Sequence, residues 1–251
     1  MSRSRPADQA PAPSSGRKRI ARLTAFPLAH RGLHGRGRIE NSRAAFLAAI
    51  RKGHGIELDV LASSDGHAFV FHDYELDRLT DETGPLAERS SAELERIKLK
   101  GSDETIPSLS EILALVASQV PLLIEVKAKD RQVSPLCLSV IRALEGYRGP
   151  VGVMSFNPEV ARWLAIHAPR VARGLVVTES DKGRLRGWIE RRFALWRARP
   201  DFLACDVRDF PSRFARGARR RGMPVFTWTV RNAKDAKIGR TNADQIIFEA
   251  A

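Results

Sequence analysis

Cysteine is almost absent from this chain of 251 residues. Cys137 and Cys205 are the two that occur, too few for a disulfide scaffold and compatible with a reducing compartment. Long apolar runs are absent as well: no stretch approaches the eighteen or more residues of a membrane-spanning helix. A secretory leader is not expected, because the segment from Ile20 to Leu28 is short and Arg22 interrupts it. A cytoplasmic location is the expectation. An organellar transit peptide is the alternative, since the first 25 residues are rich in Arg, Ser and Ala and hold one acid, Asp8. Acidic residues are the scarcer charge, 29 against 42 Lys and Arg, for a net charge of +13. That balance favours anionic partners or simply reflects heavy use of arginine; it says nothing about fold. There is no Walker-type phosphate loop, no zinc spacing and no basic repeat interleaved with aromatics, so no specific nucleic-acid partner is expected.

What is present is an alternation of short β-rich runs with helical patterns, the signature of a parallel α/β fold. Residues 1–19 combine Ser, Pro, Ala and Arg with no hydrophobic period, and 1–25 are read as a disordered basic arm, leaving 26–251 as one domain. The candidate strands are Pro27–His30, Gly55–Val60, Ala68–His72, Leu122–Lys127, Val151–Ser155, Ala172–Val177, Phe202–Asp206, Val225–Val230 and Gln245–Phe248. Nine is one too many for an eightfold barrel. Only a short segment around Ser64-Asp65-Gly66 separates the second run from the third, too little for a parallel crossover. These two should form an antiparallel hairpin, with Glu57 across from about His72. Eight barrel strands remain, so the expected fold is a TIM (β/α)8 barrel with a small insertion over about 73–107, a loop long enough to be functional. Asn41 or Ser42 should cap the first helix, and Pro107-Ser108-Leu109 should open a later one.

In such a barrel the functional residues sit at the C-terminal strand ends. His30-Arg31-Gly32 ends the first strand. Glu57 and Asp59 lie two apart, on one face of the second. His72-Asp73 returns from the hairpin, Glu125 and Lys127 end the third barrel strand, and the seventh ends near Trp228. Carboxylates about 4 Å apart repel by roughly 4 kcal/mol at an effective dielectric of 20. Three such pairs among Glu57, Asp59 and Glu125 would cost roughly 12 kcal/mol. A divalent cation removes that cost, and all-oxygen ligands point to Mg²⁺, Ca²⁺ or Mn²⁺. The competing reading is separate salt bridges, such as Glu125 with Lys127. His30 and His72 are suited to proton transfer near neutral pH. His34, His54, His67 and His167 read as structural.

Read in order, these pieces resemble the glycerophosphodiester phosphodiesterases. The resemblance is carried by His30-Arg31-Gly32, Glu40-Asn41, Glu57-Leu58-Asp59-Val60, Asp65-Gly66 and His72-Asp73 with Leu76, Arg78 and Thr80 behind it. Further along it includes Ile106-Pro107-Ser108-Leu109, Glu125-Val126-Lys127, Ser155-Phe156 and Trp228-Thr229-Val230. It implies a TIM barrel with an insertion after the second strand. It implies metal binding by Glu57, Asp59 and Glu125, and an acid–base pair in His30 and His72. Arg31 would bind phosphoryl oxygens with Lys127 near them, Glu40 would line or support the site, and Trp228 would wall the alcohol pocket or sit in the core. The implied reaction turns a glycerophosphodiester and water into glycerol 3-phosphate and an alcohol, directly or through a cyclic phosphate. A related barrel phospholipase acting on lysophospholipids would use the same machinery with a different rim. A rival of another class is a non-catalytic protein binding anionic lipid or nucleic acid. There are departures: Ile39 stands where the family usually has proline, the Gly35–Gly37 loop is slightly expanded, and a Thr-Asp pair expected around Ile246-Ile247-Phe248-Glu249 is missing.

Lys182–Arg199 carries seven basic residues and one acid, Glu190. Leu185, Trp188, Ile189, Phe193 and Trp196 fall near one side of a helix drawn through it, a pattern also found in helices that lie on membranes. A barrel needs a helix between its fifth and sixth strands, so the apolar stripe is expected to pack on the sheet. Even then its cations and those of Arg213–Arg221 could meet an anionic membrane weakly.

Overall fold

Short runs of β-branched and small residues become barrel staves because each has one face for the barrel interior and one for a covering helix. The computed structural model describes residues 20–35, 37–179 and 184–250. Its strands are β1 (Leu28–His30), β2 (Gly55–Ala62), β3 (Ala68–Val70), β4 (Leu122–Val126), β5 (Val151–Ser155), β6 (Ala172–Val177), β7 (Phe202–Asp206), β8 (Val225–Val230) and β9 (Gln245–Phe248). All except β3 pair in parallel, and β9 closes the ring on β1. The helices are α1 (Arg43–Arg51), α2 (Ser91–Leu94), α3 (Leu109–Val116), α4 (Ser134–Ala143), α5 (Pro158–His167), α6 (Arg184–Ala198), α7 (Arg213–Arg220) and α8 (Ala233–Asn242). This is the expected TIM barrel.

The hairpin forms as expected, with β3 antiparallel to β2 and Val60 opposite Val70. Continuing that register puts Glu57 level with Asp73 rather than His72, a shift of one residue. The insertion that follows has a small core of its own, in which Leu61, Phe69, Leu76, Leu86, Leu94 and Leu99 are buried together. Ile39, the departure from proline, packs against that core.

The barrel interior is filled by Leu28, Leu123, Met154, Phe202, Phe226 and Ile247. Phe202 needs the space that Gly174 leaves: a Cβ there would meet the phenyl ring at 2.2 Å. The boundary of the basic arm requires correction. Residues 20–23 form a helical turn, and Ile20 and Leu23 are buried in the interior cluster. These two apolar side chains stop the end of the barrel opposite the C-terminal strand ends, so residues 20–23 belong to the barrel domain. The remainder of the expected arm, 1–19, lies outside the described residues.

A second correction concerns α6. Its barrel-facing side is made by Ala194, Leu195 and Ala198, which pack into the cluster under α5 and α7. The aromatic stripe points the other way: Trp188, Ile189, Phe193 and Trp196 are all more than half exposed. Ala194 and Ala198 let the helix approach the sheet closely, and Leu195 fills the space between. Leu185, expected in the same stripe, lies outside the residues whose side chains are described.

Candidate active site

Strand register assembles the site. His30 on β1 stands beside Glu57 on β2, and Asp59 on β2 stands beside Glu125 on β4. Alternation turns Ile56, Leu58 and Val60 outward into the helical layer and leaves the acids on the inner face. All three carboxylates are buried, Glu57 and Asp59 to 1% exposure and Glu125 to 7%.

The turn after β1 aims Arg31. Its backbone is left-handed, φ 54°, an uncommon conformation for a residue with a long side chain. Gly32 follows at φ 78°, where a Cβ would meet Ala45 and Phe46 at 2.9 Å, so the turn can sit directly on α1 only with glycine there. In this posture the Arg31 amide donates to Glu57 Oε2 at 3.1 Å. Its guanidinium reaches Glu40 Oε1 at 2.8 Å and Asp59 Oδ2 at 3.2 Å. Of the two candidate caps for α1, Ser42 takes the role, accepting from the Ala45 amide. Asn41 is thereby free to donate through Nδ2 to Asp59 Oδ2 at 3.1 Å.

Each histidine is anchored through Nδ1. His30 Nδ1 is 2.8 Å from Glu249 Oε1, and His72 Nδ1 is 2.5 Å from Asp73 Oδ1. A carboxylate only accepts, so both Nδ1 atoms carry the proton, which leaves each Nε2 available as a base. His30 Nε2 faces the acids, 3.9 Å from Glu57 Oε2. Burial lowers the pKa of both rings. Arg231 and Arg78 hold the outer oxygens of the two anchoring carboxylates. Arg78 also reaches Glu40 Oε1 at 2.7 Å, tying the insertion to the mouth of the barrel.

The charges do not balance. Lys127 Nζ lies 3.1 Å from Asp59 and 2.9 Å from Glu125, so the salt-bridge reading accounts for those two acids. Burial alone would raise Asp59, but Lys127 and Arg31 hold it below the usual carboxylate range. Glu125 is pushed up to about 7 by burial and by Asp59. Glu57 is raised well above the usual range by burial, then by Asp59 and Glu125. Its Oε1 is buried with no hydrogen-bond partner. Glu57, Asp59 and Glu125 each offer an oxygen, all within 4.8 Å of one another. A hard divalent cation matches this donor set and removes the imbalance that the two basic residues leave.

Trp228 is partly buried. Its Nε1 donates to the Ala204 carbonyl at 3.1 Å, and its ring meets Phe156 edge-on at 5.5 Å. Among the residues foreseen for the site, the structure joins His30, Arg31, Glu40, Glu57, Asp59, His72, Glu125 and Lys127 through the contacts above. Trp228 stands apart from that network, with Phe156. Glu249, not assigned to the site from sequence, is the partner of His30. The rule that singled out the other strand-end acids applies to it too, since it directly follows β9. Hydrogen bonding to His30 is the main reason its carboxyl is held at about 2. Changing Glu249 to Gln should lower the His30 pKa and move the limb of the pH–rate profile set by that ring to lower pH. It should also cut kcat by about 10–100-fold, as loss of a supporting partner commonly does, with KM little changed. An unmoved pH profile would assign Glu249 a purely structural role.

Comparison with known proteins gives one consistent result. The model of the glycerophosphoryl diester phosphodiesterase family matches residues 30–248. A glycerophosphodiester phosphodiesterase of Caldanaerobacter subterraneus is 28% identical over 88% of this chain and 93% of its own length. A phosphodiesterase of Oleispira antarctica, solved with its product sn-glycerol-3-phosphate, superposes with a TM-score of 0.78. It is 25% identical, covering 89% of this chain and 93% of that one. The glycerophosphodiester phosphodiesterase of Thermotoga maritima gives a TM-score of 0.70 at 25% identity, over 88% and 92% of the two chains. With the family's motif residues gathered at one barrel mouth and its model spanning the barrel, this chain belongs to the glycerophosphoryl diester phosphodiesterase family.

Proposed function

We propose that the protein hydrolyses glycerophosphodiesters to glycerol 3-phosphate and an alcohol, with Glu57, Asp59 and Glu125 holding one divalent cation and His30 and His72 exchanging the protons. The observation that carries this reading is the buried, unpartnered Glu57 Oε1 inside a three-carboxylate cluster beside an anchored imidazole. Mg²⁺, Ca²⁺ and Mn²⁺ are the candidate ions. When bound, the cation supplies Lewis-acid stabilisation of charge on the phosphoryl oxygens. Arg31 and Lys127 place two fixed positive charges at the same spot and orient the diester. Glu40 keeps Arg31 aimed. One histidine takes the proton of the attacking hydroxyl through Nε2. The other, its protonated form favoured by the anionic substrate, delivers a proton to the leaving alkoxide. Trp228 and Phe156 wall the alcohol side. Two free, buried cysteines suit the cytoplasm, and among the described residues no helix is long and apolar enough to cross a membrane. Glycerol 3-phosphate release from glycerophosphocholine, glycerophosphoethanolamine and glycerophosphoglycerol tests the reading. Head-group release from lysophospholipids alone would move the assignment to a phospholipase.

Metal binding should release protons. Without metal, Glu57 and Glu125 resist ionisation, so the cation must displace their protons and apparent affinity should rise with pH. At most one proton per site gives about tenfold per pH unit below its pKa, which for Glu125 is about 7. The same groups set stability. Their folded pKa values lie above the unfolded carboxyl value, about 4.3. Their contribution is therefore full below that value and lost as pH rises through the raised folded values, which for Glu125 is about 7. Calorimetry should show the metal-free Tm falling between these limits and added metal recovering more at the upper one. A metal Kd independent of pH would contradict the coupling.

A further inference from the structure

Among the described residues, nine large apolar side chains are exposed, and five of them form one patch. Four lie on α6: Trp188 at 51%, Ile189 at 53%, Phe193 at 55% and Trp196 at 63%. The fifth, Ile166 on α5, is 62% exposed and lines a shallow recess with Trp196. Positions 188, 189, 193 and 196 share one helix face. Burying aromatics is favourable and leaving them in water is not, so a stripe of this kind calls for a covering surface.

Charge says which surface. Beside the stripe, between α6 and α7, runs a groove of about 480 Å³ lined by Trp188, Arg192, Arg213, Phe214 and Arg221. Arg192, Arg213 and Arg221 are exposed and, among the described residues, make no ion pair with an acid. Arg192 lies over the Trp188 ring, 5.2 Å from its centroid. At the groove floor Arg191 pairs with Glu179 at 3.4 Å, yet its buried Nε has no hydrogen-bond partner. Guanidinium groups beside amphipathic aromatics match the head-group level of a bilayer, where phosphates meet acyl chains. A second protein copy would have to bring a dense acidic face, and this chain carries +13.

We infer that α6 and the α6–α7 groove form a docking face for an anionic phospholipid bilayer, with Trp188, Phe193 and Trp196 entering the interface and Arg192, Arg213 and Arg221 holding lipid phosphates. The face lies on the outer helical layer, away from the carboxylate cluster, and holds whatever the barrel's substrate proves to be. Docking is reversible: the cations bring the enzyme to the surface and the aromatics fix its orientation.

Co-sedimentation of the full chain with vesicles tests this, using pure phosphatidylcholine against an equal mixture of phosphatidylcholine and phosphatidylglycerol. Binding is expected to the mixture alone, weakening as salt rises, with a blue shift of tryptophan fluorescence. Each cation near anionic lipid contributes roughly fivefold in affinity, so R192Q/R213Q/R221Q should bind about a hundredfold more weakly. W188S/F193S/W196S should lose the blue shift. Both variants should keep wild-type turnover of a water-soluble glycerophosphodiester, which controls for folding. Failure to bind the mixture at low salt overturns the inference, as does undiminished binding by both variants. So does a concentration-dependent dimer that the aromatic variant abolishes, since a second copy would then be the occupant.

Discussion

Replacing His30 or His72 by Ala should each lower kcat by about 10²–10⁴-fold, the usual worth of general acid–base catalysis, with smaller effects on KM. Both rings are held through Nδ1 by carboxylates, so each has one nitrogen for chemistry and a fixed direction in which to present it. The penalties should be less than additive, because the two groups act in one proton-transfer sequence. A substrate with a strongly acidic leaving group separates their roles. It needs no proton on departure, so it should rescue the variant lacking the general acid and leave the other impaired. Steady-state kinetics of the two single variants and the double variant suffice. Near-normal kcat in either single variant would reassign that ring to structure.

The second large effect belongs to Glu57. Changing it to Gln keeps the shape and can still accept from the Arg31 amide, but it removes the one cluster carboxylate that neither Lys127 nor the Arg31 guanidinium pairs. If the cation contributes roughly 4 kcal/mol of charge stabilisation, turnover should fall about 10³-fold. Metal affinity should fall with it. Stability should move the other way. In metal-free protein at alkaline pH, Glu57 is a buried ionisable group without balance, and replacing such a charge by a neutral isostere is neutral or stabilising. A gain of about 1 kcal/mol would raise Tm by about 2–4 °C in a domain of this size. An ordinary structural carboxylate would show the opposite pairing, with lower Tm and intact turnover.

Much of this was legible in the sequence because the signals are local. Strands such as Val151–Ser155 and Phe202–Asp206 stand out as short apolar runs between turn residues, and the structure has them with those bounds. The hairpin followed from chain length alone, since so short a link cannot cross over a sheet. Glu57 and Asp59 were readable as a pair because a strand repeats every two residues.

What escaped is what depends on distance along the chain. His30 and Glu249 are 219 residues apart, and nothing in their spacing announces the contact. Closure of the barrel by β9 on β1 brings them together. The capping choice between Asn41 and Ser42 was open because either side chain can cap a helix. It was decided by Asp59, which needed a donor. The orientation of α6 was misjudged for a related reason. Apolar periodicity finds a stripe without saying which side it faces, and here Ala194, Leu195 and Ala198 already cover the barrel. The order seen at residues 20–23 rests on Ile20 and Leu23, too few apolar residues to form a period.

The most direct measurement is glycerol 3-phosphate release by the wild-type protein before chelation, after exhaustive chelation, and after return of Mg²⁺, Ca²⁺ or Mn²⁺. The three buried carboxylates predict that chelation abolishes release, that at least one of these ions restores it, and that Glu57→Gln protein is not restored at the same ion concentration. Full turnover by rigorously metal-free protein would contradict the account.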